Sequence, residues 1–348
     1  MALEKIMRVL QVDYGQYRRY GKTRVSWPIK LFRGLIQNHH HVHFFSDRDT
    51  AAFEAPLGWR DLGIGKANKL LIQTAIDQAP DLLILGHCTM IKNETIKAIR
   101  ASLPNLVVIH CNNDPLFVPE NLQHIQHREE VVDAMYVSTG VPDLEKHINT
   151  KRVALRYMCN PVDVSIERFN TSLLRSEELE NDVIFCSNTD KYTTRMADIA
   201  WIKDQTSSFL RWKTPGGFGS PPLWGTDYDQ LLSRTKMGIN SNRQEGYFWY
   251  SSARIAQMGG NGILCLTHDS GALQSLYPEE TLVYFSQRED LAKQLRAFHE
   301  DDAMRRHYAS RTHQIMHREF SSRLNAQYIL ETALSLPLSH DYLWLKNL

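Results

Sequence analysis

Residues 233–276, SRTKMGINSNRQEGYFWYSSARIAQMGGNGILCLTHDSGALQSL, decide the reading of this chain. A short strand is expected over 237–240, ending in small polar residues, and a loop leads from it to Arg254. A helical turn then runs to Gly259, Gly260 and Gly262 before an apolar strand over 263–266. A strand end, an arginine, a glycine-rich helix end and a second strand end can gather phosphate and ribose contacts in one crevice. The carboxyl ends of parallel strands are where α/β proteins bind nucleotides.

Outward from this stretch the same alternation recurs. Toward the N-terminus, strands are expected over 7–12, 42–45, 82–85, 106–110, 135–138 and 154–157. Helices are expected over 27–37, 66–78 and 92–102. Short apolar strands separated by helices of ten or more residues point to a parallel, doubly wound α/β sheet. Asn160-Pro161-Val162-Asp163 breaks the cycle, and a charged stretch over 175–182 reads as a linker. The cycle then restarts, with a strand over 183–186, a helix over 192–205, a strand over 208–212 and a helix over 229–235. Beyond the central stretch come a strand over 281–284 and helices over 288–299, 301–320 and 322–335.

The chain of 348 residues is 43% hydrophobic and 23% charged, ordinary for a globular protein, and its length suggests two domains. A formal charge of +1 supplies no global field for nucleic acid, so any anion site must be local. No basic-then-apolar N-terminal segment and no long apolar run is present, so the expected location is cytoplasmic. The five cysteines form no C-x-x-C pair, and four of them sit in or beside apolar strands, so reduced structural thiols are expected.

Lys236, Asn240, Arg254 and Gly262 fit the pattern K-x-x-x-N … R-x-x-E-x-x-x-x-G, with Gln257 where that pattern has Glu. Asp114-Pro115, Tyr136-Val-Ser-Thr139, Asn160-Pro161-Val162-Asp163 and Ile184-Phe-Cys-Ser-Asn188 with Arg195 match further short segments in the same order. In this the chain resembles group-1-type glycosyltransferases, especially the CgeB-like spore-maturation family. The resemblance implies a GT-B fold, with two Rossmann-like domains facing a cleft and long C-terminal helices. It implies an acceptor-binding domain over 1–165, a nucleotide-sugar domain over 176–320, and a C-terminal helix over 321–348 crossing back to the first domain. It further implies metal-independent transfer of a sugar from a nucleotide-sugar donor to a hydroxyl on a glycan or lipid-linked glycan. No separate cofactor is implied, and peripheral membrane contact stays open. The rival functions are a nucleotide-sugar epimerase on the same scaffold and a two-domain small-molecule binding protein.

Each candidate site residue has a functional and a plain reading. Arg195 and Arg254 suit a departing diphosphate, which a metal-free site must stabilise with guanidinium forks and backbone N–H groups; otherwise they are solvated helix arginines. Asn240 belongs to the same donor set, and Lys236 and Lys191 are weaker members. Gln257 stands where related transferases hold the ribose, or else covers a helix surface. Gly259 and Gly260 allow close backbone approach to a ligand or simply end a helix, and Gly271 follows the next strand end. Asp13, His87, His110 and Asp114 are the supply of groups for a base or for sugar contacts, with turn or cap roles as the alternative. The cluster His39-His40-His41-Val42-His43 reads as a strand start rather than a metal site. Asp47/Asp49 come too early in the chain for the cation pair of a GT-A fold, and Asp227/Asp229 stand where a helix should start and read as caps rather than cation ligands. Gly63-Ile-Gly65-Lys66 is no P-loop and is expected to form a helix-start turn.

Overall fold

The structure is a computed structural model that describes residues 6–148, 151–187 and 193–346. Eleven strands are described: β1 (Arg8–Asp13), β2 (His41–Ser46), β3 (Leu82–Leu85), β4 (Val107–Asn112), β5 (Ala134–Val137), β6 (Ala154–Tyr157), β7 (Asn181–Ile184), β8 (Trp212–Lys213), β9 (Thr235–Asn240), β10 (Leu264–His268) and β11 (Val283–Phe285). Helices α1 (Trp27–Gln37), α2 (Asp47–Phe53), α3 (Arg60–Gln78), α4 (Asn93–Ser102), α5 (Pro119–Arg128) and α6 (Val141–Leu144) separate the first six strands. Helices α7 (Thr194–Thr206), α8 (Gly225–Leu232), α9 (Arg254–Gly260), α10 (Arg288–Glu300), α11 (Asp302–Glu319) and α12 (Ser322–Ala333) follow.

The chain divides into two compact units, Met1–Cys159 with Ser322–Asp341, and Asn160–Ser321 with Tyr342–Leu348. In the first, six strands pair in parallel in the order β2-β1-β3-β4-β5-β6. In the second, five strands pair in parallel in the order β11-β10-β9-β7-β8. All four residues of β3, Leu82 to Leu85, are buried, as are all six of β9. Burial on both faces makes β3 a continuous apolar run, whereas β9 also buries Thr235, Lys236 and Asn240, which are held by polar partners.

Local chemistry sets the helix limits. Pro28 opens α1, where its missing N–H costs nothing. The Thr193 hydroxyl accepts from Met196 N at the start of α7, and Asp301 accepts from Met304 N (2.8 Å) at the start of α11. In the second unit Val183, Phe185, Met237, Ile239, Leu264 and Leu266 form the sheet side of a core that α7 and α10 close with Ile199, Ile202, Leu291 and Leu295.

One helix was not expected and three expected elements differ. Residues 47–53 form α2, so Asp47 and Asp49 are helical. The Gly63–Lys66 motif is not a helix-start turn but lies inside α3, which begins at Arg60. The expected strand over 208–212 shrinks to β8, because the end of α7 winds on through Phe209 N to Thr206 O (3.1 Å). The helix expected over 229–235 begins at Gly225 and ends by Leu232; Thr235 starts β9 and donates its hydroxyl back to Leu231 O (2.7 Å).

The two glycines of α3 have opposite roles. A Cβ on Gly63 would stand 1.8 Å from the Ala51 carbonyl oxygen in α2, whereas one on Gly65 would meet nothing within 4 Å. Gly63→Ala should therefore force α2 and α3 apart and cost about 1–3 kcal/mol. Gly65→Ala should instead stabilise by about 0.5–1 kcal/mol by reducing backbone freedom. Urea-unfolding midpoints of the two variants check both signs.

Candidate functional site

In the second unit, two guanidinium groups meet at the carboxyl end of β9. Arg195, in the first turn of α7, donates to the Ser241 carbonyl oxygen (3.2 Å) and to the Ser187 hydroxyl (3.4 Å). Arg254, the first residue of α9, donates to the same Ser241 oxygen (2.6 Å) and to Cys186 O (3.2 Å). Both guanidinium carbons lie over the Phe185 ring, at 5.5 and 5.9 Å. Their Nε atoms are buried and have no hydrogen-bond partner among the described residues. Burial, followed by the positive charges of Arg254 and Arg243, pushes the Arg195 guanidinium down to about 10, and burial lowers Arg254 too.

The nearest carboxylate, Glu245, is occupied by neutral donors. It accepts from Asn242 N (2.7 Å), the Asn242 side-chain amide (3.3 Å) and the hydroxyls of Ser241 (3.3 Å) and Ser270 (3.2 Å). Two cations are thus concentrated beside neutral carbonyls at a strand end, an arrangement that an incoming anion relieves. Asn240 fixes the strand ends: its amide donates to Thr267 Oγ1 (2.8 Å) on β10, and its oxygen accepts from Ser252 (3.2 Å). A pocket of about 70 Å³ adjoins Arg195, Ser241, His268 and Arg288.

In the first unit, the loops after β1, β3 and β4 bring a second group of residues together. His87 Nδ1 lies 2.6 Å from Asp114 Oδ2, and this hydrogen bond raises the imidazole above its usual range. The Tyr14 ring stands edge-on to His87 at 5.7 Å, and the Arg48 guanidinium lies 5.0 Å over the Tyr14 ring. Asp13 is buried beneath them. Its Oδ1 accepts from the backbone N–H of Tyr14 (2.8 Å) and of His87 (3.1 Å), so it holds the His87 loop in place. A side chain on Gly86 would come within 1.7 Å of Asp13 Oδ2. Burial pushes the Asp13 carboxyl up to about 7. Such a His–Asp pair can take a proton on Nε2 while the carboxylate fixes the tautomer.

Residues 184–331 match the family model described as Glycosyl transferase-like. Anabaena HepE, solved in complex with UDP-glucose, superposes with a TM-score of 0.56 at 16% identity, covering 95% of this chain and 100% of HepE. Sucrose-phosphate synthase from Thermosynechococcus elongatus superposes with a TM-score of 0.62 at 11% identity, covering 94% of this chain and 98% of that one. A putative UDP-N-acetylglucosamine 2-epimerase from Listeria monocytogenes reaches 0.55 at 11% identity, with coverage of 95% and 96%. The fold is GT-B. No curated protein sequence matches the chain.

Within this GT-B fold the remaining expected residues fall as follows. Gln257 is half-buried on α9, and its Oε1 accepts from the Tyr228 hydroxyl (2.8 Å), which leaves its amide N–H groups for any ligand. Gly259 and Gly260 pack inward: a Cβ would stand 2.7 Å from Thr312 Cγ2 on α11 and 2.8 Å from Glu167 Cβ, respectively. Gly271 O accepts from Trp249 N (2.7 Å) and so ties the loop after β9 to the loop after β10. Lys236 is buried in an ion pair with Asp182 (2.7 Å), away from the arginine pair. His110 is buried with Nδ1 at 2.8 Å from Leu85 O, and burial lowers its pKa. Lys191 lies outside the described residues.

The acidic pairs are occupied by protein groups. Asp47 accepts from Met90 N (3.0 Å), and Asp49 from Tyr17 N (3.0 Å) and the Ser46 hydroxyl (2.5 Å). Asp227 lies in the first turn of α8. Among the described residues no group of three or more His, Cys, Asp or Glu is arranged to hold a metal ion. The sequence reading missed Tyr14, Arg48 and Glu245. Glu245 had a signal, since it stands three residues after Asn242 in a polar turn; Tyr14 and Arg48 had none.

Asp13 has a consequence for stability. Its folded carboxyl titrates near 7 against 3.8 for a free one, so the folded state holds a proton that the unfolded chain releases between those values. Stability is therefore lost as pH rises through that window. Asp13→Asn keeps the acceptor oxygen and removes the titration. Its stability relative to the parent should rise from pH 4 to pH 8 by up to ~4 kcal/mol, read from unfolding midpoints at both pH values.

Proposed function

We propose that this protein is a glycosyltransferase that moves a sugar from a nucleoside diphosphate sugar to a hydroxyl acceptor. Within that class we place it beside the CgeB-like transferases, on the Lys236…Asn240 and Arg254…Gly262 spacing. The observation that carries the reading is the pair Arg195 and Arg254, buried on one carbonyl oxygen at the end of β9 with the local carboxylate engaged elsewhere.

In this reaction the bond between the sugar's anomeric carbon and the diphosphate breaks, and a bond forms from that carbon to the acceptor oxygen. The diphosphate departs with an added negative charge, which the two guanidinium forks take up in a low-dielectric setting. With two cations in place, no divalent ion is required in this reading. For the acceptor hydroxyl's proton the first unit offers His87 Nε2 as a base, with Asp114 to stabilise the imidazolium. Asp13 acts one step back, holding the His87 backbone.

The structural likeness to the Listeria 2-epimerase favours one alternative, in which the same scaffold turns over the donor alone. Incubation with UDP-, GDP- and dTDP-sugars, with and without a mixed glycan acceptor, separates the two. Donor consumption that needs no acceptor and releases an epimerised sugar nucleotide overturns the transferase reading.

Arg254→Ala should reduce kcat by about 10²–10³-fold. Arg254→Lys should recover only part of the loss, because an ammonium cannot fork. EDTA should leave turnover of the parent unchanged; a loss restored by magnesium would contradict the metal-free site.

His87→Ala should lower kcat by about 10²–10⁴-fold. Asp114 raises the His87 pKa, and a base must be unprotonated to act. In Asp114→Asn the acid limb of the pH profile of kcat/KM should therefore move to lower pH. An unmoved limb would show that His87 is not the titrating base.

A further inference from the structure

The first unit carries a surface that sugar transfer alone does not explain. A cavity of about 690 Å³ is lined in part by Tyr14, Arg18, Arg19, Arg48, Trp59 and Arg60. Its charge is lopsided. Asp49, at its wall, is buried and committed to Ser46 and Tyr17 N, which leaves Asp61 as the exposed carboxylate against four arginines. No ion pair engages Arg18, Arg19 or Arg60 among the described residues. Arg48 is half-buried, with its Nε lacking a hydrogen-bond partner among those residues.

Apolar side chains project from the same two segments, 16–20 and 56–62, the second running into the first turn of α3. Tyr20 and Leu57 are each 90% exposed, Trp59 67% and Leu62 62%. Tyr20 and Leu57 also sit on left-handed backbone, with φ of 50° and 56°. Bulky L-residues adopt that conformation only under strain, and such strain collects at functional loops. The loops therefore hold their apolar tips in water by a backbone shape that does not favour it.

Apolar tips set among arginines match the boundary between headgroups and acyl chains. Aromatic and leucine side chains enter the acyl edge there, while arginines meet anionic headgroups. Tips spread over two segments suit a fluid surface better than a protein partner, which would need a contiguous packed face. No helix among the described residues is long and apolar enough to cross a membrane, so the contact is with the surface. Tyr14 links the cavity to the His87–Asp114 pair through its ring contact with His87.

We infer that the segments 16–20 and 56–62 dock the first unit on an anionic bilayer, and that the arginine-lined cavity receives the phosphate of a lipid-linked acceptor. The identity of what is delivered rests on the transferase reading; the docking does not.

The test is co-sedimentation of the full chain with phosphatidylcholine vesicles, either pure or containing about 30% phosphatidylglycerol. Binding to the anionic vesicles should be at least ~10-fold tighter and should weaken as salt is raised. Arg18→Glu with Arg19→Glu should abolish the preference, and Leu57→Ser with Trp59→Ser should weaken binding by about tenfold. Equal partition into both vesicles, or parental binding in both double variants, overturns the proposal. So does absence of vesicle binding together with saturable binding of glucose 6-phosphate that Arg60→Ala removes, which would assign the cavity to a soluble anionic acceptor. Thermal shift by UDP-sugars is measured alongside. Its absence in the parent counts against the donor site in the second unit and leaves the vesicle result standing.

Discussion

Two guanidinium groups share the carbonyl oxygen of Ser241. Placing them there uses three elements of the second unit. The end of β9 supplies the oxygen, the start of α9 supplies Arg254, and the start of α7 supplies Arg195. The order of the sheet makes this meeting possible, because β7 and β9 are neighbours, α7 follows β7 and α9 follows β9. Asn240 and Thr267, neighbours across β9 and β10, keep the strand ends in register. Glu245 keeps the intervening loop closed without neutralising the arginines. A protein selected for stability alone would place a carboxylate between the two cations. Leaving them beside neutral oxygens sacrifices stability for a ready anion site, the usual compromise at functional positions.

The first unit follows the same logic with different chemistry. Its inner strands are buried, and the titratable groups gather where those strands end. Asp13 closes β1, the loop after β3 carries His87, and the loop after β4 carries Asp114. Arg48, Tyr14, His87 and Asp114 form a run of ring and ion contacts in which each side chain fixes the next. The buried, neutralised Asp13 serves as the floor of this run. A carboxyl held that high accepts two backbone N–H bonds without bringing full charge into the interior.

The parallel α/β architecture was legible because fully buried strands leave an unmistakable apolar run, as in β3 and β4. Where reading failed, a polar residue concealed its structural role. Lys236 makes the start of β9 look like a surface segment, yet it is buried against Asp182, so no apolar run marks the boundary between α8 and β9. Asp47 and Asp49 resemble a cation pair but work inside α2 by accepting backbone and hydroxyl donors. Gly63 looks like a loop glycine, although its lack of a side chain lets α2 lie on α3. At the site, charge and position marked Arg195, Arg254, His87 and Asp114, and the structure brings each pair together. The glycines at 259 and 260 were ambiguous on paper; their neighbours Thr312 and Glu167 are distant in sequence and could not be foreseen. Gln257 likewise depended on Tyr228, whose hydroxyl no local pattern ties to it.

The discontinuity of the first unit bears on how the chain comes into being. Helix α12 covers α1, with Gly34 lying against the Ser322 backbone and Asn38 donating to Arg323 O across 285 residues. On the ribosome, α1 emerges long before its cover, and the whole stretch Asn160–Ser321 must be synthesised in between. The face of α1 around Gly34 is without that partner for the interval. All five strands of the second unit lie within Asn160–Ser321, so its sheet can form before α12 is made. During that delay the nascent first unit is the part most in need of a chaperone.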